Sequence, residues 1–183
     1  TARDDYGVIG GTVTITLDTA ALDRRYGLAV KPEPREPVVF DLPMPLTGKR
    51  TQFTEVLAEN ASEHPWANLP VVVALAVRDG RKQTGAAEPL HLVLAGRRFF
   101  DPVASAVIEM RRDLLWSREN GARSLQILRA MTNRPEGLVR NERAYLMLRV
   151  VIDRLDAALK DFTPAARDDI AKALWDIALL IED

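Results

Sequence analysis

The chain has 183 residues, of which 47% are hydrophobic and 28% are charged. This composition is typical of a folded protein of one or two domains, and it excludes disordered, collagen-like and disulfide-rich classes. Twenty-five basic residues against 26 acidic ones leave a net charge of −1, which gives no electrostatic attraction for nucleic acid or anionic lipid. Cysteine is absent, so disulfides, thiolate metal sites and cysteine nucleophiles are excluded as well.

The first predicted strand covers residues 8–17. Apolar residues alternate with threonines from Thr12 to Leu17, which is the pattern of a strand with one buried face. The pair Gly10-Gly11 lies in this strand and predicts a bulge or a bend, because residues without Cβ weaken a regular ladder. Further strands are predicted at residues 38–42, 51–57, 69–77 and 90–94.

The last two of these strands are predicted to form a hairpin-like return. Asp79-Gly80 starts their connection, which we expect to run through Gly85. Five or more short strands without intervening helices favour an antiparallel immunoglobulin-like β-sandwich over residues 1–97.

A change of composition near Gly96 marks the start of a second region. Eight of the ten glycines and eight of the eleven prolines precede Phe99, whereas helix-forming residues dominate the rest. The fold class is therefore predicted as α+β in two domains, the second being an all-α helical bundle or hairpin over residues 98–183.

Apolar periodicity predicts four helices in this second region. Apolar residues recur at three- and four-residue steps from Tyr145 to Leu159, which is typical of a helix that packs against a neighbouring helix. A short turn connects it to the final helix, so we expect a helical hairpin. The start and stop signals of the helices are, in chain order, Asp101-Pro102, Ser117, Asn133-Arg134-Pro135 and Thr163-Pro164.

The final helix carries more apolar residues than one neighbouring helix can bury. Trp175, Ala178, Leu179 and Leu180 lie outside its main apolar stripe. Three explanations are open: packing on the other helices, contact with chain beyond Asp183, or contact with a second copy. We expect a protein partner or self-association through the C-terminal helices.

No catalytic constellation is present. His64 lies in a loop beside proline and tryptophan, and His91 alternates with leucines in a predicted strand, so a structural role is expected for each. The sequence has no nucleophile elbow, no glycine-rich phosphate loop and no zinc-binding histidine spacing. We assign no catalytic, cofactor-binding or metal-binding residue, expect no cofactor, and predict that the chain is not an enzyme.

Calcium binding is the alternative that the acidic residues raise. Asp4 and Asp5 precede Gly7, and Asp79 begins a loop at what we expect to be the same end of the sandwich. Turn formation explains the same residues, because aspartate before glycine binds its own backbone, and arginines stand beside these acids.

Two arginine pairs raise the possibility of an anion-binding patch. Arg97-Arg98 and Arg111-Arg112 are interleaved with Asp101, Glu109 and Asp113. Salt bridges within the chain explain these pairs without any bound anion, and we expect no nucleic-acid partner.

Several segments of the chain resemble an uncharacterised family of long alphaproteobacterial proteins, the domain of unknown function 4175. The resemblance implies transmembrane helices near the N-terminus of the whole protein and a long region outside the membrane. Because the chain opens on Thr1 and ends directly after an apolar helix, we expect it to be a piece of such a region. The resemblance transfers no activity and no site residue. The matching segments are Asp4 to Val8 (DDYGV), His64 to Val71 (HPWANLPV), Arg111 to Asn120 (RRDLLWSREN), Thr132 to Glu136 (TNRPE) and Ala173 to Asp183 (ALWDIALLIED).

The sequence therefore predicts a non-catalytic structural or protein-interaction module on the periplasmic side of the inner membrane. Any contact with the membrane is expected only through segments that this chain does not contain. The alternative is a calcium- or ligand-binding module, or part of an enzyme whose site is completed outside this chain.

Overall fold

A computed structural model describes residues 2–3, 7–45, 52–53, 60–133 and 140–183. The chain divides into two compact units that are not contiguous in sequence. The first contains Thr1–Leu22 and Arg35–Gly96, and the second contains Asp23–Pro34 and Arg97–Asp183.

The architecture is α+β, with a five-stranded antiparallel sheet and four α-helices among the described residues. Two short 3-10 turns, Tyr26–Leu28 and Arg118–Asn120, occur in the second unit. The strands are β1 (Ala2–Arg3), β2 (Val8–Leu17), β3 (Val38–Asp41), β4 (Gln52–Phe53), β5 (Pro70–Asp79), β6 (Thr84–Ala86) and β7 (Leu90–Val93). The helices are α1 (Pro102–Trp116), α2 (Gly121–Thr132), α3 (Glu142–Ala158) and α4 (Pro164–Glu182).

The sheet of the first unit is built around β2 and β5. Strand β3 pairs with β2, and both β6 and β7 pair with β5, whereas β1 and β4 form a separate two-stranded sheet. The register pairs Val13 with Leu75 and Ile15 with Val73, so apolar residues of the two central strands share one face. On the other face, threonines of β2 stand beside alanines of β5.

Strand β2 has the predicted bounds and contains the predicted bulge. Its register against β5 shifts between Val8 and Gly10, next to the Gly10-Gly11 pair. A Cβ on Gly11 would lie 2.8 Å from the carbonyl oxygen of Ala76, so glycine is required there by the close approach of the two strands. Of the strand predicted at residues 51–57, only Gln52–Phe53 falls within the described residues.

The connection after β5 is shorter than predicted. Gly85 lies in β6 and pairs with Val77 instead of lying in the connection. The reason is Asp79, whose Oδ1 accepts hydrogen bonds from the backbone N–H groups of Arg81 and Gln83 and so closes a tight turn.

Two finer predictions about the fold stay predictions. The structure has a five-stranded sheet. This sheet does not test whether the first region is an immunoglobulin-like sandwich, or whether the domains are residues 1–97 and 98–183. The compact units differ from that division in two respects, because residues 23–34 group with the helices and Arg97 also belongs to the helical unit.

The helices of the second unit begin at local capping signals. Asp101 Oδ1 accepts from the N–H groups of Val103 and Ala104, and Thr163 Oγ1 accepts from the N–H of Ala166. Proline follows each of these caps at the first helical position, where its missing N–H removes no helical bond. Both predicted helix starts are confirmed.

The core of the second unit draws on all four helices. Helix α4 packs against both α1 and α3, which buries Trp175 and Ala178 and leaves Leu179 and Leu180 half-buried. For Trp175 and Ala178, packing on the other helices, one of the three explanations left open, is what the structure has, because α4 has two helical neighbours. The buried core residues are Ala104, Val107, Met110, Leu114, Leu125, Leu128, Leu148, Val151, Ile152, Leu155, Ile170, Leu174, Ile177 and Ala178.

We predict that Leu128→Ala lowers the free energy of unfolding by about 2–5 kcal/mol, since Leu128 is fully buried in this core. The matched control is Leu146→Ala on α3, where the side chain is 56% exposed and the change should stay within about 0.5 kcal/mol. Urea unfolding followed by circular dichroism measures both variants. Equal losses for the two would contradict the described packing.

Candidate functional site: the 23–34 segment and the 111–120 motif

Residues 23–34 form a folded turn that one arginine organises. The Arg24 guanidinium donates to three successive carbonyl oxygens, those of Leu28 at 2.6 Å, Ala29 at 3.0 Å and Val30 at 2.9 Å. Leu28 ends the 3-10 turn Tyr26–Leu28, and Ala29 and Val30 follow it directly. Arg24 therefore gives the 23–34 segment its shape.

The 23–34 segment is attached at Trp116, the last residue of α1. The indole Nε1 donates to the Val30 carbonyl at 2.9 Å, and the Trp116 carbonyl accepts from the Glu33 N–H at 2.8 Å. The Arg24 guanidinium lies 5.8 Å from the centre of the indole ring, within the range of a cation–π contact. Trp116 belongs to the 111–120 motif (RRDLLWSREN), and it is 4% exposed.

Asn120 makes the second attachment. Its Nδ2 donates to the Gly27 carbonyl and to the Asp113 carbonyl, both at 2.8 Å, and the residue is buried. Gly27 lies directly on the Asp113 carboxylate, where a Cβ would clash with all three atoms of that group. Glycine is therefore required at position 27 for the segment to approach α1.

The Asp113 carboxylate is fully buried, and two arginines pair with it. Oδ1 accepts from Arg112 at 2.9 Å, and Oδ2 accepts from Arg123 on α2 at 2.7 Å. A buried charge is tolerated when it is both paired and hydrogen-bonded, as it is here. Asp113 thus fixes the start of α2 against α1 beneath the 23–34 segment.

Glu33 makes the third attachment, between two arginines. Its Oε1 accepts from the backbone N–H of Arg118 at 2.8 Å and from Arg118 Nε at 2.7 Å, and Oε2 accepts from Arg167 Nη1 at 2.6 Å. Arg118 also donates to the Phe162 carbonyl at 2.8 Å, in the turn before α4. One carboxylate therefore connects the 23–34 segment, the 111–120 motif and α4.

The surroundings of Glu33 lower the pKa of its carboxyl group. Partial burial raises the pKa, but the hydrogen bonds from Arg118 and the charges of Arg167 and Arg118 outweigh it and hold the pKa below its ordinary value. Glu33 is therefore ionised at neutral pH and acts as a fixed negative charge.

Three of the four arginines considered for an anion-binding patch contact other parts of the chain. Arg111 is 9% exposed, donates to the Ala171 carbonyl at 3.2 Å and lies over the Trp175 ring at 5.0 Å. Arg112 pairs with Asp113, and Arg97 lies 3.5 Å from the Asp183 carboxylate. Arg97 and Arg112 thus form salt bridges within the chain, as expected.

Each of the two histidines contacts another residue of the first unit. His64 Nδ1 accepts from the Trp66 N–H at 3.1 Å, and the two rings meet edge-to-face. His91 has an exposed side chain, as predicted, and its Nδ1 lies 2.7 Å from Asp18 Oδ2. The hydrogen bond from His91 is the main cause that lowers the pKa of the Asp18 carboxyl group.

Of the residues considered for calcium, Asp4 and Asp5 lie outside the described residues. Asp79 is buried, and its Oδ2 has no hydrogen-bond partner among the described residues. No group of three or more acidic or histidine side chains is arranged to hold a metal ion in the part of the chain that the structure describes.

A groove of about 520 Å³ lies beside the N-terminus of α1. Within it, the Glu182 carboxylate accepts from the backbone N–H groups of Phe100 and Asp101 at 2.9–3.0 Å, so it binds the chain just before α1. The lining residues are Asp101, Arg140, Asn141, Leu180, Ile181, Glu182 and Asp183.

Sequence reasoning did not identify the 23–34 segment or its partners. One available signal was Arg167, which stands three residues before Ile170 and seven before Leu174, on the same face of α4 as these core residues. A charged residue on the apolar face of a helix indicates a buried ion pair, but its partner Glu33 is 134 residues away in sequence.

We predict that Asn120→Asp lowers the free energy of unfolding by about 3 kcal/mol, because a carboxylate would face two carbonyl oxygens that lose their donor. The matched control is Asn60→Asp, since Asn60 is exposed and its Oδ1 accepts from the Ser62 N–H, a bond that a carboxylate can also make. Urea unfolding of both variants measures the difference. A loss at Asn120 no larger than at Asn60 would show that these bonds do not hold the segment.

We predict that Glu33→Gln costs about 2 kcal/mol near neutral pH, because it leaves Arg167 buried beside an amide donor. The pKa of Glu33 is lower in the folded chain than in the unfolded one, so its contribution is complete above the unfolded value and is lost as the pH falls through the folded value. The difference between wild type and variant should therefore be constant down to about pH 5 and shrink below about pH 4. Urea unfolding at several pH values tests this, and a difference that does not depend on pH would contradict it.

Comparison with known proteins gives one match. A family model for DUF4175, a domain of unknown function, matches residues 1–183. No curated protein and no solved structure matches the chain. Since the family model covers residues 1–183, the chain belongs to the DUF4175 family.

Proposed function

We propose that this chain is a non-catalytic structural or protein-interaction module from the periplasmic part of a membrane-anchored protein. The proposal rests on the contacts that the polar residues of the 111–120 motif make. Arg111, Arg112, Asp113, Arg118 and Asn120 all bind other parts of the same chain. These contacts favour a structural role, because the side chains hold elements of the chain in place.

The surface supports a role in recognition. Large apolar side chains are exposed on both units: Phe100 at 82%, Val150 at 58% and Leu146 at 56% on the helical unit, and Leu90 at 53% on the sheet. Aliphatic and aromatic side chains of this kind are the groups through which protein partners gain affinity. The sheet, with one apolar face, also supports the proposal that the first unit is an immunoglobulin-like layer.

The interaction role is tested with surface variants of the full-length protein in its own membranes. Phe100→Ser, the pair Leu90→Ser and Leu92→Ser, and the pair Leu146→Ser and Val150→Ser each remove one exposed apolar surface. Proximity labelling should lose a protein from the wild-type set in at least one variant, while circular dichroism shows that the variant is folded. An unchanged set in all three would overturn the proposed role.

The family resemblance supports the periplasmic location. No helix in the described part of the chain is both long and apolar enough to cross a membrane. A single cysteine tests the location, because this chain has none of its own. In a full-length protein otherwise free of cysteine, Lys160→Cys should react with a membrane-impermeant maleimide in intact cells. Leu128→Cys is the buried control and should not react until the protein unfolds. Reaction at residue 160 only after lysis would place the chain in the cytoplasm.

Calcium or ligand binding is the second candidate, and Asp79 is the observation that favours it. A buried carboxylate oxygen without a hydrogen-bond partner is costly, and a bound cation would relieve that cost. Millimolar calcium should then raise the melting temperature of the wild type but not of Asp79→Asn. A melting temperature that calcium leaves unchanged would eliminate this candidate.

A further inference from the structure

Helix α3 has a second apolar surface on its exposed side. Leu146 and Val150 are 56% and 58% exposed and lie four residues apart, hence on one face of the helix. Arg143 and Asp153, both exposed, continue this face at three-residue steps on either side. We call these four residues the α3 stripe. It is separate from the buried face of α3, which contains Leu148, Ile152 and Leu155.

The charges of the α3 stripe have no partner in the described part of the chain, where neither Arg143 nor Asp153 forms an ion pair. Some exposed charges on the same unit are paired, as in Arg129 with Asp156 at 2.6 Å and Lys172 with Asp176 at 3.4 Å. The α3 stripe thus presents two opposite charges and two apolar side chains to solvent.

The order of these residues makes the stripe complementary to itself. If a second α3 lies antiparallel, with the two-fold axis level with residue 148, Leu146 faces Val150 of the second copy. The same axis brings Arg143 level with Asp153 of the second copy, and by symmetry each contact occurs twice. A parallel arrangement would instead place Arg143 beside Arg143 and Asp153 beside Asp153, which is repulsive.

From this charge complementarity we propose that a second copy of this chain docks antiparallel on the α3 stripe. The inference rests on the proposed interaction role and names its partner and surface. The surface is small, so the dimer is weak in isolation, with a dissociation constant on the order of 100 µM. Two copies held near each other in a membrane would associate at a much higher effective concentration.

Sedimentation equilibrium of the 183-residue chain, up to about 1 mM, tests the proposal. Wild type should show a monomer–dimer equilibrium. The pair Leu146→Ser and Val150→Ser should weaken the dimer about tenfold or more, since both side chains lose their apolar contact. Lys160→Glu makes a charge change on an exposed residue outside the stripe, and it should leave the equilibrium within about twofold of wild type.

Charge exchange tests the arrangement itself. Arg143→Glu should weaken the dimer about fivefold, because each altered side chain would face Asp153 of the other copy. The double variant Arg143→Glu and Asp153→Arg restores opposite charges and should recover the wild-type constant within about twofold.

Two results would overturn the inference: a wild type that stays monomeric at the highest concentration, or a dimer that the stripe variants leave unchanged. A double variant no better than Arg143→Glu would also overturn it, because the antiparallel pairing requires recovery. Each variant is checked by urea unfolding, so that loss of the dimer is not confused with loss of the fold. The proposed interaction role would survive these failures if another surface variant loses a labelled partner in membranes.

Discussion

The attachment of the 23–34 segment to the helices depends on a carboxylate held between two arginines. Glu33 accepts from Arg118 at the end of the 111–120 motif and from Arg167 on α4, so it joins three parts of the chain that are far apart in sequence. Burying Arg167 and partly burying Glu33 is unfavourable unless both charges are paired and hydrogen-bonded. Here each oxygen of the carboxylate has at least one short hydrogen bond, and Arg118 has a further acceptor in the Phe162 carbonyl.

Asp113, which lies on α1 beneath the 23–34 segment, is a second carboxylate paired with two arginines. Its carboxylate is buried, and each of the two oxygens pairs with one arginine. Gly27 leaves room for this carboxylate because glycine has no side chain. The 23–34 segment is thus held by charge, by hydrogen bonds from Asn120 and Trp116, and by the absence of a Cβ at one position. Apolar burial has a smaller part in this attachment than in the helical core, where Leu114 and Leu128 are fully buried.

The parts of the fold that were predictable from sequence are those that local chemistry determines. Asp101 and Thr163 cap helices through backbone groups two or three residues away, and β2 follows from the alternation over residues 12–17. The place of the 23–34 segment was not predictable in this way. It has no periodicity, its prolines are typical of a linker, and the partners of Glu33 lie 85 to 134 residues further on. The site residues Trp116 and Asn120 could be recognised as part of a specific motif, but what they bind could not.

The attachment of the 23–34 segment has a consequence for biosynthesis. When residues 23–34 leave the ribosome, the segments that contain Trp116, Asn120 and Arg167 have not yet been made. The turn that Arg24 organises therefore cannot be attached to the helices until those segments are synthesised. Closing such a long loop costs only slightly more entropy than closing a shorter one, but it delays the step. A nascent chain stalled before Arg167 would therefore carry a Glu33 carboxylate with half of its final counter-charge.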